Sequence, residues 1–225
     1  MTGLVRLPTT GVSSLFSALA WLRRAPGVHP QRVGFAGRLV VDTANALLPE
    51  GDQPADLQLS KGAGTPGGWP DVLGIALRIR PSGDPWDFLF STAGHGRLSR
   101  WIPVPSPDWN AVRYGSLAPY EVAGESWWLM LTPLGEPAGH ASSADLHARW
   151  PSSFTLSISG KDTNWSEIGA VSLLSPGAEV RTFDPVLNHP PYALPAPRWL
   201  RQLRELAYQG SRRGRGDSSE PPNQV

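Results

Sequence analysis

The chain has 225 residues, 40% of them hydrophobic, enough for one substantial core and, by size, one domain. Lys plus Arg number 20 against 19 Asp plus Glu, so no net field draws the chain to nucleic acid or anionic lipid. The absence of cysteine excludes disulfides, thiolate metal sites, iron–sulfur clusters and cysteine nucleophiles, and removes any sign of redox compartment. With 24 Gly and 24 Pro the chain must turn often, and its 10 Trp are a large aromatic load; both suit a β-rich fold around something flat.

Leu15, Phe16, Leu19, Ala20 and Leu22 recur at helical spacing until Pro26 and Gly27 stop the pattern, which predicts an N-terminal helix over 12–24. Ser13, Ser14 and Ser17 interrupt this stretch, which is shorter than the roughly 20 apolar residues of a membrane span. Its basic residues, Arg23 and Arg24, follow the apolar run instead of preceding it, unlike a secretory leader. We therefore expect no membrane span and a cytoplasmic protein.

Residues 33–42 and 72–80 are rich in β-branched residues or alternate at the period of a strand. The segment 86–91 follows a Pro-Ser-Gly-Asp-Pro turn, so 72–91 is expected to form an antiparallel hairpin. Further strands are predicted at 120–122, 127–132, 154–159 and 170–174, separated by Gly, Pro, Asp and Asn, a spacing that suggests a barrel. A second helix is predicted over 197–212, opened by Pro197 and carrying Leu200, Leu203, Leu206 and Ala207. The single domain is expected to span 1–216 and the polar tail 217–225 to be disordered.

Arg204 and Tyr208 are four residues apart and share a face of that second helix. On spacing alone the commoner reading is a core-facing tyrosine beside arginines that suit the last turns of a helix. A chemical use also exists: a phenol titrates near about 10, and an adjacent permanent cation lowers its pKa towards the phenolate, an anionic iron ligand.

The run Arg204-Glu205-Leu206-Ala207-Tyr208, followed by Arg215-Gly216, resembles the proximal motif of the haem catalases, in which the tyrosine ligates iron. The resemblance makes Tyr208 the axial ligand, Arg204 its hydrogen-bonding partner and Arg215 a propionate contact. The segment 28–37, Val-His-Pro-Gln-Arg-Val-Gly-Phe-Ala-Gly, resembles the catalase segment around the distal histidine and implies that role for His29. Leu59-Ser60-Lys61-Gly62-Ala63-Gly64 is similar to the family's strand whose serine orients that histidine, which points to Ser60. Residues 71–78 and the pair Trp86-Asp87 continue the likeness. A neutral imidazole so placed takes a proton from a bound peroxide and returns it to the departing oxygen.

The chain departs from the family at three positions. Ser91 falls where the catalytic asparagine is expected, and its shorter side chain predicts weak or no disproportionation of peroxide. Pro26 and Gln58 stand where two propionate-binding arginines are expected, leaving Arg215 with a neighbour such as Arg24, Lys61 or Arg212. Residues 94–152 carry no motif that can be placed on the family, and the chain is far shorter than a full catalase; its size resembles the minimal catalase-like haem peroxidases.

Other constellations are weaker. His140, Asp145 and His147 lack a recognised metal spacing, and the glycine-rich run 61–69 lacks the terminal Gly-Lys-Ser/Thr of a phosphate loop. Trp101, Trp109, Trp127 and Trp128 could relay electrons but read as core. The basic cluster from Arg198 to Arg215 could meet nucleic acid or membrane, against which the tyrosine spacing argues for a ligand inside. The expectation is an α+β, catalase-like antiparallel β-barrel with an N-terminal helix and a C-terminal helix that carries the haem-ligand tyrosine. Its implied function is a haem b-dependent peroxidase acting on hydrogen peroxide or organic hydroperoxides with an unidentified electron donor. The resemblance is compatible with a homodimer. Two alternatives stay open: a barrel that has lost haem catalysis and binds a small apolar ligand, and a lipid hydroperoxide rearrangement resembling that of the allene oxide synthases.

Overall fold

The computed structural model describes residues 32–137, 140–179 and 181–195. They form ten strands: β1 (Arg32–Val41), β2 (Gly51–Lys61), β3 (Leu73–Ile79), β4 (Trp86–Thr92), β5 (Tyr114–Gly115), β6 (Tyr120–Val122), β7 (Glu125–Pro133), β8 (Ser153–Ser159), β9 (Trp165–Ala178) and β10 (Leu194–Pro195). Pairing runs β1-β2-β3-β4-β5-β7-β8-β9 and returns to β1, so eight antiparallel strands close a barrel and leave no edge along most of its circumference. β6 and β10 add a small flap to the N-terminal half of β7.

Alternation sets the two faces. Val33, Phe35, Leu39 and Val41 of β1, Leu57 and Leu59 of β2, and Leu73, Ile75, Leu77 and Ile79 of β3 are buried, while Arg32, Ala36 and Arg38 between them are exposed. With Phe88 and Phe90 of β4, Tyr114 of β5, and Phe154 and Leu156 of β8, these side chains fill the barrel interior, which is therefore a packed core. Tyr114 stacks edge-on against Phe154 and donates to the Trp109 carbonyl at 2.7 Å; its complete burial raises the phenol pKa well above its usual value.

The predicted strands at 33–42, 72–80, 86–91, 120–122, 127–132, 154–159 and 170–174 are all present, and β3 and β4 form the expected antiparallel pair. β2, β5 and β10 were not expected from pattern. Pro54 lies inside β2, where β1 pairs along the whole strand but β3 pairs only from Asp56 onward, so its missing N–H falls on a free edge. β9 is longer than predicted and runs through Gly169, Pro176 and Gly177, with register shifts against β1 and β8 that let it turn around the barrel. At Gly169 (φ +155°) an added Cβ would lie 1.9 Å from the Val40 carbonyl oxygen, so only glycine permits this approach.

Among the described residues helical structure is limited to two 3₁₀ turns, Ser99–Trp101 and Asp145–His147, and no helix is long and apolar enough to cross a membrane. The predicted helices at 12–24 and 197–212 and the tail at 217–225 lie outside the described residues.

Candidate active site

The register of β2, β3 and β4 builds a regular surface on the outside of the barrel. Ser60 pairs with Gly74 and Gly74 pairs with Ser91, so the two serines lie on one row of the outer face with a single glycine between them. Strand spacing puts them about 10 Å apart. Neither hydroxyl makes a hydrogen bond among the described residues; Ser60 is half-buried and Ser91 only 7% exposed. A Cβ at Gly74 would come within 3.0 Å of Ser60 Oγ, so the absent side chain keeps the floor between the two hydroxyls flat.

The next outward row is Gln58, Ala76 and Leu89. Gln58 is 7% exposed and its Oε1 has no hydrogen-bond partner among the described residues, a buried acceptor on the same face as the serines. One step further, Asp56, Arg78 and Asp87 align. Arg78 Nε and Nη2 donate to the two Asp87 carboxylate oxygens at 2.6 and 2.7 Å, a bidentate pair in which Asp87 is completely buried. Hydrogen bonding to Asp87, with smaller charge contributions, raises the Arg78 pKa above its usual value against the cost of burial.

Asp87 also accepts from the Asp184 backbone N–H and from Asn188 Nδ2, while Arg78 Nη2 donates to the Thr182 carbonyl and the guanidinium sits 5.0 Å from the Phe183 ring centroid. The pair therefore fastens the segment 182–188 across the outside of β3 and β4, two rows from the serines.

Around the other side the serine row continues through Gly115 of β5, Met130 of β7 and Ser157 of β8. Trp128, two residues before Met130, is 4% exposed and carries the Arg100 guanidinium 3.5 Å above its ring, while Trp101 meets it edge-on. Of the four tryptophans read as core, Trp109 belongs to it and half-buried Trp127 packs against it, whereas buried Trp128 stands outside the core cluster against half-buried Trp101.

Lys61 is not available as a propionate partner. It is fully buried, and its Nζ donates to the carbonyls of Gly67 and Trp69, both at 2.9 Å. Asp71 completes the tie by accepting from the N–H groups of Ala63 and Thr65 and from Thr65 Oγ1, so the glycine-rich run is a hydrogen-bonded structural loop between β2 and β3. Burial lowers the Lys61 pKa, with Asp71 opposing the shift. His29, Arg204, Tyr208 and Arg215 lie outside the described residues, as do Arg24, Pro26 and Arg212. Among the described residues no three His, Asp or Glu side chains gather as a metal site.

No protein-family model and no curated protein sequence matches the chain. Its barrel is nevertheless similar to solved structures. Catalase A from Saccharomyces cerevisiae superposes with a TM-score of 0.58 at 11% identity, covering 95% of this chain and 66% of the catalase. A fungal catalase superposes with a TM-score of 0.57 at 13% identity, covering 95% and 64%. The fold is catalase-like. This chain thus spans about two thirds of the length of those proteins, and the likeness is one of architecture.

The resemblance read from the sequence implies a haem. The outer face of β2 to β4 suits one side of such a group: Gly74 and Ala76 leave it flat, and the Ser60 and Ser91 hydroxyls have hydrogen bonds to give. Gln58 fits less well, since a neutral amide cannot neutralise a carboxylate. Sequence reasoning did not find Gly74 as part of the site, although its place between two serines follows once the register is known.

Proposed function

We propose that the chain is a haem b-dependent peroxidase of the catalase-like superfamily, cleaving hydrogen peroxide or organic hydroperoxides with weak or no catalase activity. The observation that supports this most directly is the row Ser60, Gly74, Ser91 on the outer face of a catalase-like barrel, since both serines were singled out from sequence for the same side of the haem.

Tyr208 would hold the iron as phenolate, with Arg204 favouring the ionised form, and Arg215 would meet a propionate. When bound, haem supplies the redox centre at which the peroxide O–O bond is cleaved. His29, as a neutral imidazole, takes the proton from one peroxide oxygen and delivers it to the other as it leaves. Ser60 positions His29 by a hydrogen bond, and Ser91 donates to the peroxide where an asparagine amide would reach further. Arg78 and Asp87 act at a distance by keeping the segment 182–188 on the barrel wall. The balance is ROOH plus two electrons and two protons giving ROH and water, the electrons coming from a separate organic donor.

The reading is tested by peroxidase assays on haem-loaded protein with His29→Ala and Ser60→Ala variants. Both variants should retain haem; the first should lose about 10²-fold or more in turnover and the second less. Full activity in His29→Ala would overturn the distal assignment. A second reading, a barrel that binds a small apolar ligand without haem chemistry, is favoured by one observation: Gln58 is buried, uncharged and unpaired at Oε1 where a propionate-binding arginine is expected.

A further inference from the structure

A cleft of about 340 Å³ opens on the outer barrel wall beside the serine row, lined by Ala93, His95, residues 110–113, Thr132 and Pro133. Its floor continues the same face. Ala93 lies two residues beyond Ser91, its N–H donates to the Arg113 carbonyl, and its methyl approaches the bare Cα of Gly115. Thr132 lies one step beyond the paired Tyr114 and Leu131. The alternation that turns Ser91 outward therefore turns Ala93, Arg113 and Thr132 outward too, about 7 Å along the strand direction.

Donors predominate in the lining. Arg113, the His95 ring and the Thr132 hydroxyl can all donate, and none has a side-chain partner among the described residues. The Asn110 amide nitrogen is committed to the Glu136 carbonyl at 2.9 Å, and the Asn110 N–H to Asp108 Oδ1 at 2.6 Å, which fixes that rim; Asn110 Oδ1 is a buried acceptor without a partner among the described residues. The opposite rim is held by Trp165 Nε1, which donates to the His95 carbonyl at 3.0 Å. No Asp or Glu is among the described lining residues; exposed Ala111 and half-buried Pro133 supply short aliphatic surface without an aromatic ring, over a floor of buried Ala93 and core-packed Val112.

A permanent cation, a second nitrogen donor and a hydroxyl at one aliphatic cleft form a carboxylate-recognition set. We propose that this cleft binds an aliphatic monocarboxylate, with the carboxylate on Arg113 and His95 and the hydrocarbon against Ala111 and Pro133. The proposal goes beyond the peroxidase reading and does not depend on it, because every residue it uses is described and none is assigned to haem.

The test is an NMR titration of the full-length, ¹⁵N-labelled protein with hexanoate, observing the Trp165 and Trp109 indole N–H groups, with hexanamide and inorganic phosphate in parallel. Hexanoate should give saturable shifts; hexanamide, phosphate and the Arg113→Met variant should each bind at least tenfold more weakly, and Arg113→Lys should fall between. Arg113 is exposed and holds no ion pair among the described residues, so its replacement should leave the spectrum otherwise native. The proposal is overturned if hexanoate gives no saturable shift, if hexanamide binds equally well, or if Arg113→Met is without effect. Phosphate binding as tight as hexanoate would also overturn it, because the aliphatic wall would then contribute nothing.

Discussion

Ser60 and Ser91 face the same way from β2 and β4 because both pair with Gly74 in the strand between them. Two hydroxyls separated by a bare backbone make a surface on which a flat group can rest, whereas any other residue at 74 would raise a ridge.

Gly74→Val is accordingly expected to fold but to obstruct that surface. The new Cβ would stand 3.0 Å from Ser60 Oγ, a small group able to rotate aside, but the added methyls would project between the serines. Overpacking against a bound ring costs about 1–3 kcal/mol, so haem affinity measured by Soret titration should drop by about fivefold or more. Unchanged affinity would mean the ligand lies elsewhere.

Ser91→Asn should restore the longer donor. Its neighbours in the row, Gly74 and Gly115, carry no side chains, so no cross-strand side chain opposes the larger amide. Oxygen release from hydrogen peroxide by the haem-loaded variant is expected to rise by about tenfold, as better positioning of the peroxide permits. An oxygen electrode would read this directly, and no rise would remove Ser91 from the proposed distal set.

Asp87→Ala should be among the most damaging substitutions in the barrel. It leaves Arg78, 12% exposed, without its bidentate partner and also frees the N–H of Asp184 and the amide of Asn188. Breaking a buried pair from one side costs about 3–5 kcal/mol, which for a chain of this size lowers Tm by about 6–20 °C. Proteolysis should begin within 182–188; cleavage elsewhere would contradict the fastening role.

Alkaline pH should destabilise the protein through Tyr114. Its folded pKa is raised by burial, so its contribution is complete below the unfolded phenol's pKa of about 10 and is lost as pH climbs above that value. Tyr114→Phe forfeits the bond to the Trp109 carbonyl, worth about 1 kcal/mol at neutral pH. It should nevertheless show a shallower fall of Tm between pH 9 and about 11 than the parent. Parallel slopes would exclude Tyr114 as the source.

Much of the barrel was legible because β3, β4 and β8 alternate cleanly and are bounded by turn residues. β2 was not read from pattern because Gly51, Asp52 and Pro54 look like a turn, and their tolerance in a strand depends on an edge that only the register creates. β5 has two residues, too few for any period. Ser60 and Ser91 were reachable through resemblance; their alignment through Gly74 was not, since it depends on pairing across two hairpins. The cleft beside them was invisible for the same reason, being assembled from the ends of β4, β5 and β7 and the segments between them.

The most direct test of the proposed haem chemistry is the absorption spectrum of the purified protein expressed with haem precursor, compared with Tyr208→Phe prepared identically. A Soret band with ferric tyrosinate character in the parent, lost or shifted in the variant, is the predicted result. A colourless parent that shows no saturable haem binding would contradict it, leaving a catalase-like barrel whose ligands must be sought outside haem chemistry.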